Sequence, residues 1–525
     1  MSNSASNVSP AAVLVACRPV AHVRDRTLVA MALERLRSVF GADCPVYVTH
    51  MDPPTSAAGS ISETSHTNAI ASERDWLGTQ AVTSLPETDL LAALRILMER
   101  HTEDRDDSLA LFYDWYPLLD ATLTGSVFEW HRTYLAHFTY GENLPLGLAP
   151  DFCSREFLET VPAEVRIDDL RAYVFKHIDR YDVEIFFQPP DLRQYRLDFS
   201  MASARSQRLV RDVLATDAQL QYKGLGDYLL KYPEVMRPFP SCLEIELSAD
   251  TDGLAPVFYP TLDAGKSRSG AHLEMSLIEK LIQEIEAHAL VDDLSIILGG
   301  PGECGLHPNF LEIVHRLAGS DSVRQLFIET YGLALTPEMQ TALNEIPAAE
   351  KIQLIIRCNT LQADRFSALY GVDRLAQQLQ HVQALEARTD LRYTVYAEML
   401  RMEINADEVD DLFERFKETG IQVLLAAYNR FAGRLPERRA ADLTPLHRDF
   451  CWHLARDVYI NAEAKIPLCK QDPYALGPMV MDFHTSTLMD YWQHTLAWHA
   501  ASVRGRHESI PMPCLQCDEW YTFNA

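Results

Sequence analysis

The stretch QLFIETYGLALTPEMQTALNEIPAAEKIQLIIRCN, residues 325–359, carries the pattern that decides the fold. Its two short apolar runs, QLFIETYG (325–332) and KIQLIIRCN (351–359), read as strands, and the segment between them reads as helical. Strand, helix, strand in that order joins two parallel strands by a crossover. Working outward, the unit recurs at roughly 30-residue intervals. Upstream lie CLEIEL (242–247), the amphipathic helix HLEMSLIEKLIQEIEAHA (272–289) with glutamates on its exposed face, and LSIILGG (294–300). Downstream lie a helical stretch over 407–420 and the strand VLLAAY (423–428). The spacing predicts an α/β fold with about six parallel strands, starting near Leu243, Ser295, Leu326, Gln353, Val395 and Val423, in a parallel sheet or partial barrel. Sites on such folds sit at the C-terminal ends of the strands. That is where GGPGE (299–303), Glu329-Thr330 and Arg357 fall.

The N-terminal part is a second α/β region. AVLVAC (12–17) and VYVTH (46–50) read as strands on either side of a helix over 24–40. LALFYDWYPLLD (109–120) reads as a strand ending in acidic and aromatic residues, and AYVFKHI (172–178) and VEIFFQ (183–188) as further short strands or mixed segments. Residues 53–74, rich in Ser, Thr, Ala and Pro, are expected to be a flexible insertion.

At 525 residues the chain exceeds one core, and two to four domains are expected. A net charge of -27 argues against a nucleic-acid backbone or an anionic membrane as the main partner. The opening MSNSASNVSP has no basic or apolar targeting region, and no run of about 18 apolar residues occurs. A cytoplasmic location is therefore expected. Four of the ten cysteines, Cys451, Cys469, Cys514 and Cys517, fall in the last 75 residues, and the last two form a Cys-x-x-Cys. Four thiolates suffice for a tetrahedral zinc or an iron–sulfur cluster, and the spacing does not choose between them. Paired disulfides or packed thiols are the alternative.

CWHLARDVYINAEAKIPLCKQD (451–472) and PCLQCDEWYTFNA (513–525) resemble the SPASM-type extension of radical S-adenosylmethionine (SAM) proteins, and the spirochaetal set called spiro-SPASM proteins in particular. PEVMRPFPSCLEIEL (233–247) is similar to the lead-in to that family's first barrel strand. LGGPGECGLHPNF (298–310) is similar to its SAM-contacting Gly-Glu segment, and YNRFAGRLPERRAADLTPLHRDFCWHLARD (428–457) to its linker into the cysteines. FYDWYPLLDATLTGSVFEWHRTYLAHFTY (112–140) looks like part of the family's nucleotidyltransferase-like first domain.

The resemblance implies a nucleotide-sugar-transferase-like α/β domain over 1–225, a radical SAM-like partial (β/α)6 barrel over 226–440 and a SPASM-like metal-binding extension over 441–525. It implies SAM contacts from Gly302, Glu303, Glu329 and Arg357, and a four-iron four-sulfur cluster on Cys451, Cys469, Cys514 and Cys517, with zinc as the alternative. Asp114 and Asp120 match the acidic positions that hold a divalent metal and nucleotide phosphates. A peptide or sugar-nucleotide substrate and an electron donor are the partners it suggests.

The chain departs from the family at the decisive place. Radical SAM enzymes need a Cys-x3-Cys-x2-Cys loop after the first barrel strand, and here CLEIEL is followed by SADTDGLAPVFYPTLD, with no cysteine between Cys242 and Cys304. The Gly-rich nucleotide loop of the first domain is also missing, since AVLVAC leads into RPVAHVRDR. The expectation is a family member with a degenerate SAM-cluster site that lacks independent SAM cleavage. An active radical SAM enzyme and a nucleotidyltransferase are the alternatives. His307 is a candidate ligand contact or a turn residue, and Arg401, Glu403 and Asn405 a candidate charged segment or a solvated loop. Trp452, Trp492 and Trp520 are expected to shield the metal site.

Overall fold

The computed structural model describes residues 9–18, 24–51, 63–162, 169–262 and 268–520. The chain divides into two units, Met1–Pro238 and Phe239–Ala525.

The first unit is built on seven strands: β1 (Ala12–Cys17), β2 (Val46–His50), β3 (Thr83–Ser84), β4 (Ser108–Phe112), β5 (Phe138–Gly141), β6 (Asp151–Ser154) and β7 (Val183–Phe186). Their order in the sheet is β3-β2-β1-β4-β6-β5-β7. All pairs are parallel except those of β6, which runs antiparallel to β4 and β5. AVLVAC is apolar throughout because a central parallel strand is covered on both faces, and all six of its residues are buried. Helix Arg26–Phe40 starts where the Asp25 carboxylate accepts the Thr27 amide at 2.9 Å.

Two sequence expectations change here. AYVFKHI is not a strand: helix Leu170–Lys176 takes most of it, with Asp169 as its cap. Of residues 53–74, those up to 62 lie outside the described residues, and the remainder fall in helix Glu63–Thr79. The positions of that helix that are not exposed, 70, 73, 74, 76 and 77, include two charged residues, Glu73 and Arg74. A polar inner face hides a helix from a search for apolar periodicity.

The second unit holds the predicted strands: β8 (Cys242–Ile245), β9 (Leu294–Leu298), β10 (Val323–Thr330), β11 (Ile352–Arg357), β12 (Thr394–Arg401) and β13 (Gln422–Ala427). A seventh parallel strand, β14 (Asp457–Ile460), goes beyond the sequence expectation. It pairs with β8, giving the order β13-β12-β11-β10-β9-β8-β14. A hairpin of β15 (Lys465–Pro467) and β16 (Val480–Asp482) follows.

Alternation along these strands produces two faces. Leu243, Ile296, Leu326, Leu354 and Val395 pack outward against helix residues such as Ile278, Leu281 and Ile313. Cys242, Ile297, Phe327, Ile355 and Tyr396 form a separate inner cluster. The crossovers are punctuated as the chemistry of their residues requires. Thr336 caps helix Pro337–Asn344, whose Pro337 sits in the first turn, where a missing N–H costs nothing.

Candidate functional site

Above the inner apolar cluster, at the C-terminal ends of the strands, the second unit encloses a cavity of about 570 Å³. Its walls carry four glutamates, Glu244, Glu329, Glu398 and Glu519, and two cations, Arg357 and Lys470. Arg357 is the centre of this arrangement. It forms an ion pair with Glu329, its Nε lies 3.8 Å from Glu398, and its guanidinium lies over the rings of Tyr259 at 5.4 Å and Tyr331 at 5.5 Å. Burial opposes its charge, but the neighbouring Tyr259 and Glu329 outweigh that and hold it charged. Lys470 reaches within 3.7 Å of Glu244. Burial and the charge of Glu329 push Glu398 up to about 7. Burial likewise raises Glu244, with Lys470 opposing.

The sequence-predicted residues separate into two groups. Glu329 and Arg357 line the cavity, and Glu303 and Gly302 do not. Glu303 is 1% exposed and is consumed by internal bonds. One carboxylate oxygen accepts the Gly305 amide at 3.2 Å, and the other accepts the Thr330 hydroxyl at 2.9 Å and the Tyr331 amide at 2.8 Å. It ties the loop after β9 to the end of β10. Gly302 is needed because a Cβ there would stand 1.8 Å from the Ser248 carbonyl oxygen. His307 is a turn residue: one ring nitrogen accepts the Asn309 amide and the other bonds the Leu273 carbonyl. Asn405 is fully buried rather than solvated, donating to the carbonyls of Asn359 and Leu400 and accepting the Met402 amide.

The loop after β8 fills the mouth with apolar side chains. Leu254 and Phe258 join Tyr331, Phe366, Tyr370 and Phe431 in one buried cluster, and Phe258 and Tyr259 reach the cavity wall. The nearest thiols do not substitute for a cluster loop. Cys242 lies in the inner apolar cluster at the start of β8. Cys304 donates to the Glu329 carbonyl at 3.3 Å, and burial raises both thiols. These residues do not fit a three-thiolate iron–sulfur cluster.

The C-terminal cysteines fit a metal centre better. All ten cysteines are free thiols. The last four form one electrostatic group: Cys514 and Cys451 oppose ionisation of Cys469, and Cys469 and Cys451 oppose that of Cys517. Burial, then Cys451 and Cys517, push Cys514 up to about 12. Backbone amides point at the sulfurs, those of His453 and Leu454 at Cys451, Gln471 at Cys469, and Glu519 at Cys517 at 3.3 Å. Amides aimed at sulfur stabilise thiolates that ligate a metal. No three of the four sulfurs lie within 4.8 Å of one another. Trp492 and Trp520 pack in the same buried cluster as Cys451 and Cys514.

In the first unit, the candidate acids already have partners. Asp120 caps helix Ala121–Thr133 through the Leu123 amide at 3.0 Å and also accepts the Tyr222 amide at 2.9 Å. Asp114, in a left-handed conformation with φ +87°, is gripped by the Arg24 guanidinium fork through Nε and a terminal nitrogen.

Sequence reasoning missed Glu244, Glu398, Lys470 and Glu519. A signal existed for the first two, because a charged residue at an inward position of an otherwise apolar strand, as in CLEIEL and YAEML, has few explanations besides a polar cavity. Lys470 and Glu519 arrive from the C-terminal segment, and only the tertiary fold brings them in.

No family model matches the chain. Over 359 residues it is 26% identical to an uncharacterized protein of Treponema pallidum (strain Nichols), an alignment that spans 66% of this chain and 96% of the relative. Several solved structures align with part of the chain. Streptococcus suis SuiB bound to precursor peptide SuiA aligns with 56% of this chain and 73% of its own, at 14% identity and a TM-score of 0.40. BtrN in complex with AdoMet and 2-DOIA aligns with 54% of this chain and 94% of its own, at 14% identity and a TM-score of 0.35. A histidine-tagged anSMEcpe with bound AdoMet aligns with 50% of this chain and 81% of its own, at 11% identity and a TM-score of 0.38.

Proposed function

We propose that the chain is a radical SAM/SPASM-like protein that does not cleave SAM on its own and acts through two retained parts, a ligand-binding barrel mouth and a C-terminal metal centre. The observation that carries this reading is the thiol-free loop after β8, whose Phe258 and Tyr259 occupy the cavity wall where the family places its cluster. The carboxyl groups of the wall offer polar contacts to a small ligand, with Tyr259 and Phe258 offering ring faces to its apolar part.

Cys451, Cys469, Cys514 and Cys517 are the residues that would hold the metal centre, and a four-iron cluster there supplies one-electron transfer or anchors the fold. With every iron held by protein, such a centre offers no open position to SAM. Nucleotidyl transfer in the first unit receives less support, because Arg24 and the helix cap already engage Asp114 and Asp120.

The test is anaerobic reconstitution of the full chain with iron and sulfide, followed by SAM and dithionite. About four irons per chain are expected on the four cysteines, with no 5′-deoxyadenosine released. Stoichiometric 5′-deoxyadenosine would overturn the reading.

A further inference from the structure

At the far end of the first unit's central strands, three side chains of metal-ligating type meet. Cys17 is the last residue of β1 and His50 the last of β2, and the two are register partners across the parallel pair. Their side chains therefore leave the sheet on one face. Glu73, from helix Glu63–Thr79, approaches that face, and one ligand atom from each of the three lies within 4.8 Å of the others. Among the described residues this is the only such trio of histidine, cysteine and carboxylate donors.

A second observation points to a ligand. His50 is 4% exposed, and neither of its ring nitrogens has a hydrogen-bond partner among the described residues. The nearest charged group is Glu73, 3.6 Å from Nε2, and the other Glu73 oxygen is also without a hydrogen bond. Leaving a buried imidazole and a buried carboxylate oxygen unsatisfied is costly unless something else occupies the space between them.

Arg24 also stands beside the trio: Asp114 grips it through Nε at 2.9 Å, the Arg18 carbonyl accepts a bond at 2.7 Å, and Nη1 lies 3.4 Å from the Glu73 oxygen that faces His50.

The geometry points to a zinc-type divalent metal site in the first unit, ligated by Cys17, His50 and Glu73. Sulfur, nitrogen and oxygen donors together suit borderline ions such as zinc. Tetrahedral bonds of ordinary length place such donors about 3.5 Å apart, a contraction that side-chain rotation supplies. Binding releases the Cys17 proton to solvent.

The test uses the full chain with its C-terminal cysteines filled by iron and sulfide, then loaded with zinc and desalted. About one zinc per chain is expected, and X-ray absorption at the zinc edge should fit one sulfur with the remaining ligands nitrogen or oxygen. His50→Asn and Cys17→Ser should each remove that zinc and leave the iron count unchanged. Glu73→Gln keeps the side-chain volume and should weaken zinc binding at least ten-fold. Zinc content unaffected by His50→Asn, or a zinc edge that fits four sulfurs alone, would overturn the proposal.

Discussion

Glu303 and Glu398 are both buried glutamates of the second unit, and their surroundings set them to different work. Glu303 accepts bonds from groups on two neighbouring segments, so it is a brace. Glu303→Ala should cost about 3 kcal/mol in denaturant unfolding, because it strands the Tyr331 and Gly305 amides, and should leave ligand affinity at the cavity within two-fold. Glu398 faces the cavity with burial and Glu329 pushing it up to about 7. The unfolded chain gives up that proton near the ordinary carboxylate value while the folded chain keeps it. The stabilisation is therefore complete below about pH 4.5 and is lost as pH rises through about 7, on the order of 3 kcal/mol. Glu398→Gln should flatten that part of the stability–pH curve, and a slope identical to that of the unsubstituted chain would show that Glu398 ionises freely. The sequence made Glu329 and Arg357 legible because strand ends are where sites lie. Glu303 looked equivalent, but nothing in a sequence tells which of two acids at neighbouring strand ends turns back into the protein.

At the scale of elements, the six predicted strands of the second unit appear within about three residues of their expected starts, because each is an apolar run between helical segments. β14 escaped notice for a physical reason. DVYI is four residues long, follows a five-residue helix directly, and lies in a segment whose cysteines invited a reading as ligand loops. Its pairing with β8 makes a specific forecast. Val458→Pro removes one ladder donor and should expose the β8 edge. Hydrogen exchange should then lose protection at Leu243 to Ile245 before it does at Leu326 to Ile328. Equal protection at both places would mean that β14 adds little to the sheet. Helix Glu63–Thr79 shows the reverse problem, an element hidden because the face it turns inward carries Glu73 and Arg74.

For the whole molecule, two units with separate sheets predict two thermal transitions. Loading the proposed C-terminal centre and then chelating it should lower only the transition of the second unit, since Cys451 and Cys514 share a buried cluster with sheet residues such as Leu243 and Ile245. Calorimetry of chelated and reconstituted chain measures this, and a shift of both transitions together would show that the units melt as one. The pairing of β14 with β8 also carries a consequence in time. A ribosome makes β8 early and completes its neighbour only when Ile460 emerges, about 200 residues later. At typical synthesis speeds of about 5–20 residues per second, the β8 edge waits about 10–40 seconds for that partner. An open strand edge invites pairing with other nascent chains. The yield of soluble protein should therefore depend on translation rate and chaperone supply more steeply than the stability of the finished molecule would suggest.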